Sequence, residues 1–224
     1  TLDLVYALRG DRVCALPSFL HRPAAIEFFD RHSLDLLRDQ QQHNMAFSQI
    51  QPIAAHHHTA LYVEFHADRK DELWTVLSSL GELITGLGGS EADTWIADNE
   101  RDMEKLRFFR HACPECVNLT IDDARITKLG TDMSAPDRRL RDVMDMYTAD
   151  LERLGLQHVI FGHIGQNHLH VNILPHSIEE YDIAKAIYKQ WARQISEMGG
   201  SVAAEHGIGK LKVPFLREMY GAEV

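Results

Sequence analysis

Alternation of apolar and polar positions is clearest over residues 157–174. Val159, Ile160 and Phe161 form a strand-like run, residues 162–167 are rich in turn formers, and the alternation resumes through Leu169, Val171 and Ile173. Such a pattern predicts a strand, a tight turn and a returning strand. Elsewhere the period changes from two to about 3.6. A strand over 60–66 precedes an apolar-periodic helix over 69–87, a strand over 125–131 precedes a helix over 138–154, and 171–174 leads into a helix over 178–198. Residues 199–205 read as a short strand entering a glycine turn, and the glycines of 85–89 as the cap ending a helix. Residues 40–58 lack periodicity and are expected to be a mobile loop. Strands and helices in alternation, with hairpin joins, predict one α+β domain: helices packed on an antiparallel sheet, of the ferredoxin-like kind.

With 224 residues, 45% of them hydrophobic, the chain can bury a sizeable core. A net charge of −10 argues against nucleic acid as a partner, since neutralising phosphates needs a basic surface. The basic run Arg138, Arg139 and Arg141 is read as the solvated face of a helix. No stretch approaches the roughly 18 apolar residues that span a bilayer, and no leader-like pattern opens the sequence, so a cytoplasmic domain is expected, with peripheral membrane association open. The three cysteines suit a reducing compartment. Cys113 and Cys116 have the spacing of a redox or zinc pair, but no second pair completes a zinc site, and Pro114 is read as a helix-to-loop junction.

The candidate chemistry lies in the hairpin and the glycine turn. Alternate residues of a strand share a face, so His168, His170 and Asn172 point the same way, with His163 across the turn. Neutral imidazole is the commonest nitrogen ligand for zinc-like cations, and a catalytic site keeps three protein ligands and an open position. Two of these histidines and one carboxylate would complete such a set. Glu205 is the natural carboxylate, and His206 beside it could act as a general base. Against this stands a count of 14 histidines, which makes some clustering ordinary.

The segment Gly162-His163-Ile164-Gly165-Gln166-Asn167-His168-Leu169-His170 resembles the Gly-His-x-Gly-Asp-Gly-Asn-Leu-His motif of the C-terminal domain of FAD-linked oxidases. That family includes D-lactate dehydrogenase, glycolate oxidase and D-2-hydroxyglutarate dehydrogenase. Glu205-His206-Gly207-Ile208-Gly209 is similar to its second motif. Upstream, Ala25 to Asp30 is similar to its first strand, Leu106 to Arg110 to a Leu-Trp-x-x-Arg helix with Arg107 in place of Trp, and Thr131 to Pro136 to a strand end. Gln166, Asn167 and His168 depart from the usual Asp-Gly-Asn, which makes His168 an available extra ligand.

The resemblance implies a divalent cation, zinc or alternatively manganese or iron, on His163, His170 and Glu205. It also implies that His206 takes the hydroxyl proton of a 2-hydroxy acid and that Arg110 contacts the acid's carboxylate. Asn172 and Lys128 are further substrate-binding candidates. FAD is implied as cofactor, yet no glycine-rich phosphate loop follows a strand here. The chain is therefore expected to be the substrate and cap domain of a longer flavoprotein, partnered by an FAD-binding domain, with an unspecified electron acceptor and homo-oligomerisation open. Two rival readings are a metal-dependent hydrolase that activates water, and a non-catalytic docking module whose cation is closed off by a fourth ligand, His168.

Overall fold

A computed structural model describes residues 1–10, 21–124, 127–209 and 212–220. Its centre is an antiparallel sheet of β1 (Ala25–Phe29), β2 (Ala60–Glu64), β3 (Leu129–Gly130), β4 (Met133–Ser134), β5 (His158–His163) and β6 (His168–Ile173). The strand order is β2-β1-β5-β6-β3, with β4 also pairing β6. As the alternation requires, β5 and β6 form a hairpin in which His163 faces His168 and Phe161 faces His170.

The helices are α1 (Leu2–Arg9), α2 (Arg31–His43), α3 (Lys70–Gly86), α4 (Glu100–Ala124), α5 (Leu140–Leu154), α6 (Ile178–Glu197) and α7 (Val213–Tyr220). Ile160, Val171 and Ile173 turn to one face of the sheet, where they join Leu140, Val143, Tyr147 and Leu151 of α5 and Ile187, Trp191 and Ile195 of α6. The spacing of those α5 residues is the helical stripe that selects a buried face. Phe29, Val159 and Phe161 turn to the other face, against Leu34 and Leu37 of α2 and Phe109, Cys113 and Val117 of α4. Helices thus cover both faces of the antiparallel sheet.

The helices expected over 69–87, 138–154 and 178–198 are present as α3, α5 and α6; residues Asp137–Arg139 form a 3-10 turn before α5. The cap expected at 85–89 is there, with Gly88 at φ 80°. Three expectations are corrected. Residues 40–58 are structured: α2 continues to His43, Met45–Phe47 form a 3-10 turn, and Phe47, Ile50 and Ile53 are buried. Isolated large residues anchor this segment, which is why no period marks it. Pro114 does not end a helix, since α4 runs through it. A proline inside a helix costs about 3 kcal/mol, and the burial of Cys113, Cys116 and Val117 on the flanking turns offsets that cost. The strand expected over 125–131 is reduced to Leu129–Gly130; Arg125 and Ile126 lie outside the described residues. Among the described residues no helix is long and apolar enough to cross a membrane.

Candidate active site

The hairpin end of the sheet gathers the predicted residues. Glu27 of β1, His163 of β5, and His168 and His170 of β6 lie on the sheet face covered by α2 and α4. Gly162, in β5 just before the turn, sits at φ 125°, where a Cβ would come within 2.7 Å of the His170 ring. Glycine there lets the two strands close over the imidazole.

The second motif reaches this point through a backbone tether. Residues 199–205 form a single bridge, Ser134 to Ser201, in place of the expected strand. Gly200 is pressed so close to Ser134 that a Cβ would lie 2.3 Å from its carbonyl oxygen. Asp132, 1% exposed, then organises the loop that follows. Its carboxylate accepts the Glu205 and His206 N–H groups, each at 3.1 Å, and an ion pair from Lys212, while its carbonyl accepts the Ala204 N–H. Burial raises the Asp132 carboxyl, but Lys212 and the two amides outweigh it and bring it down to about 2. An unfolded aspartate titrates near ~3.9. The stabilisation from this depressed carboxyl is therefore present above about pH 4 and is lost as pH falls towards about 2. Asp132→Asn is expected to cost about 2–3 kcal/mol at pH 7, with the gap to the unsubstituted protein narrowing between pH 4 and pH 2. Urea unfolding followed across that range checks it.

Glu205 stands at the centre. Its Oε2 is 3.4 Å from His163 Nε2, and its Oε1 is 3.2 Å from both His170 Nε2 and His206 Nε2. Burial raises its carboxyl, and the imidazoles of His163, His168, His170 and His206 outweigh that and hold it below the usual range. On the far side of the rings, His163 Nδ1 lies 2.8–3.0 Å from the Glu27 carboxylate, and His170 Nδ1 lies 3.4 Å from the Thr131 carbonyl oxygen. Both partners are pure acceptors, so in the neutral rings each Nδ1 carries the proton and each Nε2 presents its lone pair towards Glu205. Two lone pairs facing a carboxylate repel unless a cation or proton lies between them. Carboxylate and carbonyl partners behind the rings are the usual support of metal-binding histidines. One donor atom each from His163, His168, His170 and Glu205 lies within 4.8 Å of every other. The donor set therefore fits a zinc-like cation.

The other candidates are placed unequally. His206 stacks on His170, ring centroids 5.2 Å apart and planes within 13°, with its side chain largely exposed. Arg110, from α4, donates to Glu27 Oε1 at 2.5 Å and stands over the Tyr62 ring. Glu27, 4% exposed, thus links Arg110 to His163. Asn172 shares the His170 face but is buried beneath Gly130, two residues inward. Lys128 is turned to Asn118, its Nζ 3.2 Å from the side-chain oxygen, and no contact joins it to the cluster among the described residues. Sequence reasoning assigned no role to Glu27, Asp132 or Lys212. A charged residue at 27 amid Ile26, Phe28 and Phe29 was the available signal for the first.

Residues 11–224 match the family described as FAD linked oxidases, C-terminal domain. The chain belongs to that family. This FAD linked oxidase C-terminal domain is 29% identical over 163 residues to "Probable D-lactate dehydrogenase, mitochondrial" of Danio rerio, covering 72% of this chain and 32% of that protein. It is 26% identical over 212 residues to D-2-hydroxyglutarate dehydrogenase of Xanthomonas citri pv. viticola, covering 90% and 41%. With D-lactate dehydrogenase of Anaerostipes hadrus it shares 23% identity over 239 residues, covering 99% and 46%. The domain spans less than half the length of each of these relatives.

Proposed function

We propose that this domain binds the substrate and a divalent cation in an FAD-dependent enzyme that oxidises a D-2-hydroxy acid, of the lactate, glycolate or 2-hydroxyglutarate type, to the 2-oxo acid. The observation that carries the reading is the meeting of two imidazole Nε2 atoms and a third, stacked imidazole on the one carboxylate of Glu205. The names of the relatives support the lactate and 2-hydroxyglutarate types, and the motif resemblance adds glycolate.

His163, His170 and Glu205 would hold the cation, with Glu27 and the Thr131 carbonyl fixing the ring orientations. Bound there, a zinc-like cation supplies Lewis acidity that lowers the pKa of an alcohol oxygen. Arg110 keeps one nitrogen on Glu27 and makes no other hydrogen bond among the described residues, so its remaining donors can take the substrate carboxylate as a charge-assisted pair. His206, exposed at the rim and already hydrogen-bond distance from Glu205, accepts the hydroxyl proton. FAD, the family's cofactor, supplies a hydride acceptor, and the chain carries no phosphate loop of its own to hold it. Flavin binding is therefore assigned to a separate FAD-binding domain of the parent protein.

The full-length flavoprotein, mixed without oxygen with D- and L-lactate, glycolate, and D- and L-2-hydroxyglutarate, tests this. Bleaching of the flavin by glycolate or a D-acid is expected, with loss of at least about 100-fold in rate after chelation and recovery on adding zinc or manganese. A protein holding flavin and cation that no 2-hydroxy acid bleaches would sink the assignment.

A further inference from the structure

We propose that His168 is a fourth protein ligand, so that the site offers three imidazoles and one carboxylate to its cation. The inference rests on the cation reading above and adds a donor that the resemblance does not supply, since the motif there carries Asn.

His168 is 5% exposed, and its Nε2 is fully buried without a hydrogen bond. Buried ring nitrogens are ordinarily satisfied, and one left bare carries a desolvation cost that nothing offsets. Asp132 Oδ1 stands 3.1 Å from this nitrogen, out of line for a hydrogen bond. Asp132 accepts instead from the Glu205 amide at Oδ1 and from the His206 amide and Lys212 at Oδ2. The His168 ring lies 4.6 Å from that of His170 and 5.6 Å from that of His163, which are 5.5 Å from each other, so the three imidazoles form a compact triangle.

Four protein donors change what the cation can do. In a tetrahedral shell they would close the site to substrate. In a six-position shell they leave two positions, which match the hydroxyl and carboxylate oxygens of a chelating 2-hydroxy acid. Three nitrogens also favour zinc, cobalt or iron over manganese and magnesium.

The test is zinc K-edge absorption on the full-length protein carrying one equivalent of zinc, in a His32→Ala/His56→Ala/His57→Ala background. That background breaks the two other groups among the described residues that could take up metal, Asp30, His32 and His158, and His56, His57 and Asp93. Three imidazole shells are expected in this parent and two in its His168→Asn or His168→Gln variant, with zinc affinity weakened by about 10- to 100-fold. Two imidazoles in the parent would overturn the proposal without reference to any variant's folding. If His168→Asn keeps both count and affinity while His163→Ala loses zinc, the fourth ligand falls and the cation reading stands. A folded parent that takes up no zinc overturns both.

Discussion

Replacing His163 and His170 together by alanine is expected to reduce the divalent metal of the full-length protein from near one equivalent to near zero. Elemental analysis by mass spectrometry on tag-free protein, in a background that removes His32, His56 and His57 from the two other candidate metal groups, measures it. The argument is electrostatic. Both Nε2 atoms face Glu205 because Glu27 and the Thr131 carbonyl hold the opposite nitrogens, so the lone pairs are aimed before any ion arrives. Alanine removes both donors and leaves Glu205 and His168, a pair that binds weakly. Loss of a supporting partner alone costs about 10- to 100-fold in affinity, and loss of two ligands should exceed that by at least another order of magnitude. Glu27→Gln supplies the graded comparison: it spares the donors but loosens His163 and frees Arg110, so occupancy should fall within the 10- to 100-fold range instead of vanishing. Metal retained by the double variant at the level of its parent would remove the cation from these residues.

The hairpin that carries these histidines was legible because an apolar run, Val159 to Phe161, meets turn formers at 162–167 and then a period-two alternation through Leu169, Val171 and Ile173. The same parity put His168 and His170 together, and the register confirmed His163 opposite His168. What parity cannot give is a partner distant in sequence. Glu27 and Arg110 are 83 residues apart, and the ion pair between them changes Arg110 from a free cation into one already half engaged. Asp132 was visible as a motif residue, but its role as the anchor of the Glu205 loop depends on contacts 73 and 74 residues away. The segment 40–58 was misread for a different reason. Phe47, Ile50 and Ile53 fill gaps beside α2 and α4 one at a time, and such packing leaves no period to detect. Pro114 shows the reverse case, a strong local breaker overridden by the buried stripe of α4.

Replacing His206 by asparagine should lower turnover by about 10²- to 10⁴-fold, the range for loss of a positioned general base, while metal content stays at that of the parent. The two readouts separate because of where His206 sits. Its backbone N–H is held by Asp132, so the loop and Glu205 keep their anchor whatever the side chain is. The ring itself stacks on His170 and contacts Glu205 at 3.2 Å from the outside, with a largely exposed side chain. It is therefore placed to meet a substrate hydroxyl arriving from solvent, and it is not needed to build the cation's shell. Asparagine preserves polarity and much of the bulk but cannot take the proton. Arg110, the proposed contact for the substrate carboxylate, is left in place, so kcat should carry most of the loss and KM little of it. Steady-state kinetics on the full-length enzyme, with metal analysis on the same preparation, gives both numbers. Unchanged kcat would move proton acceptance away from His206, and loss of metal with activity would make His206 part of the coordination shell instead.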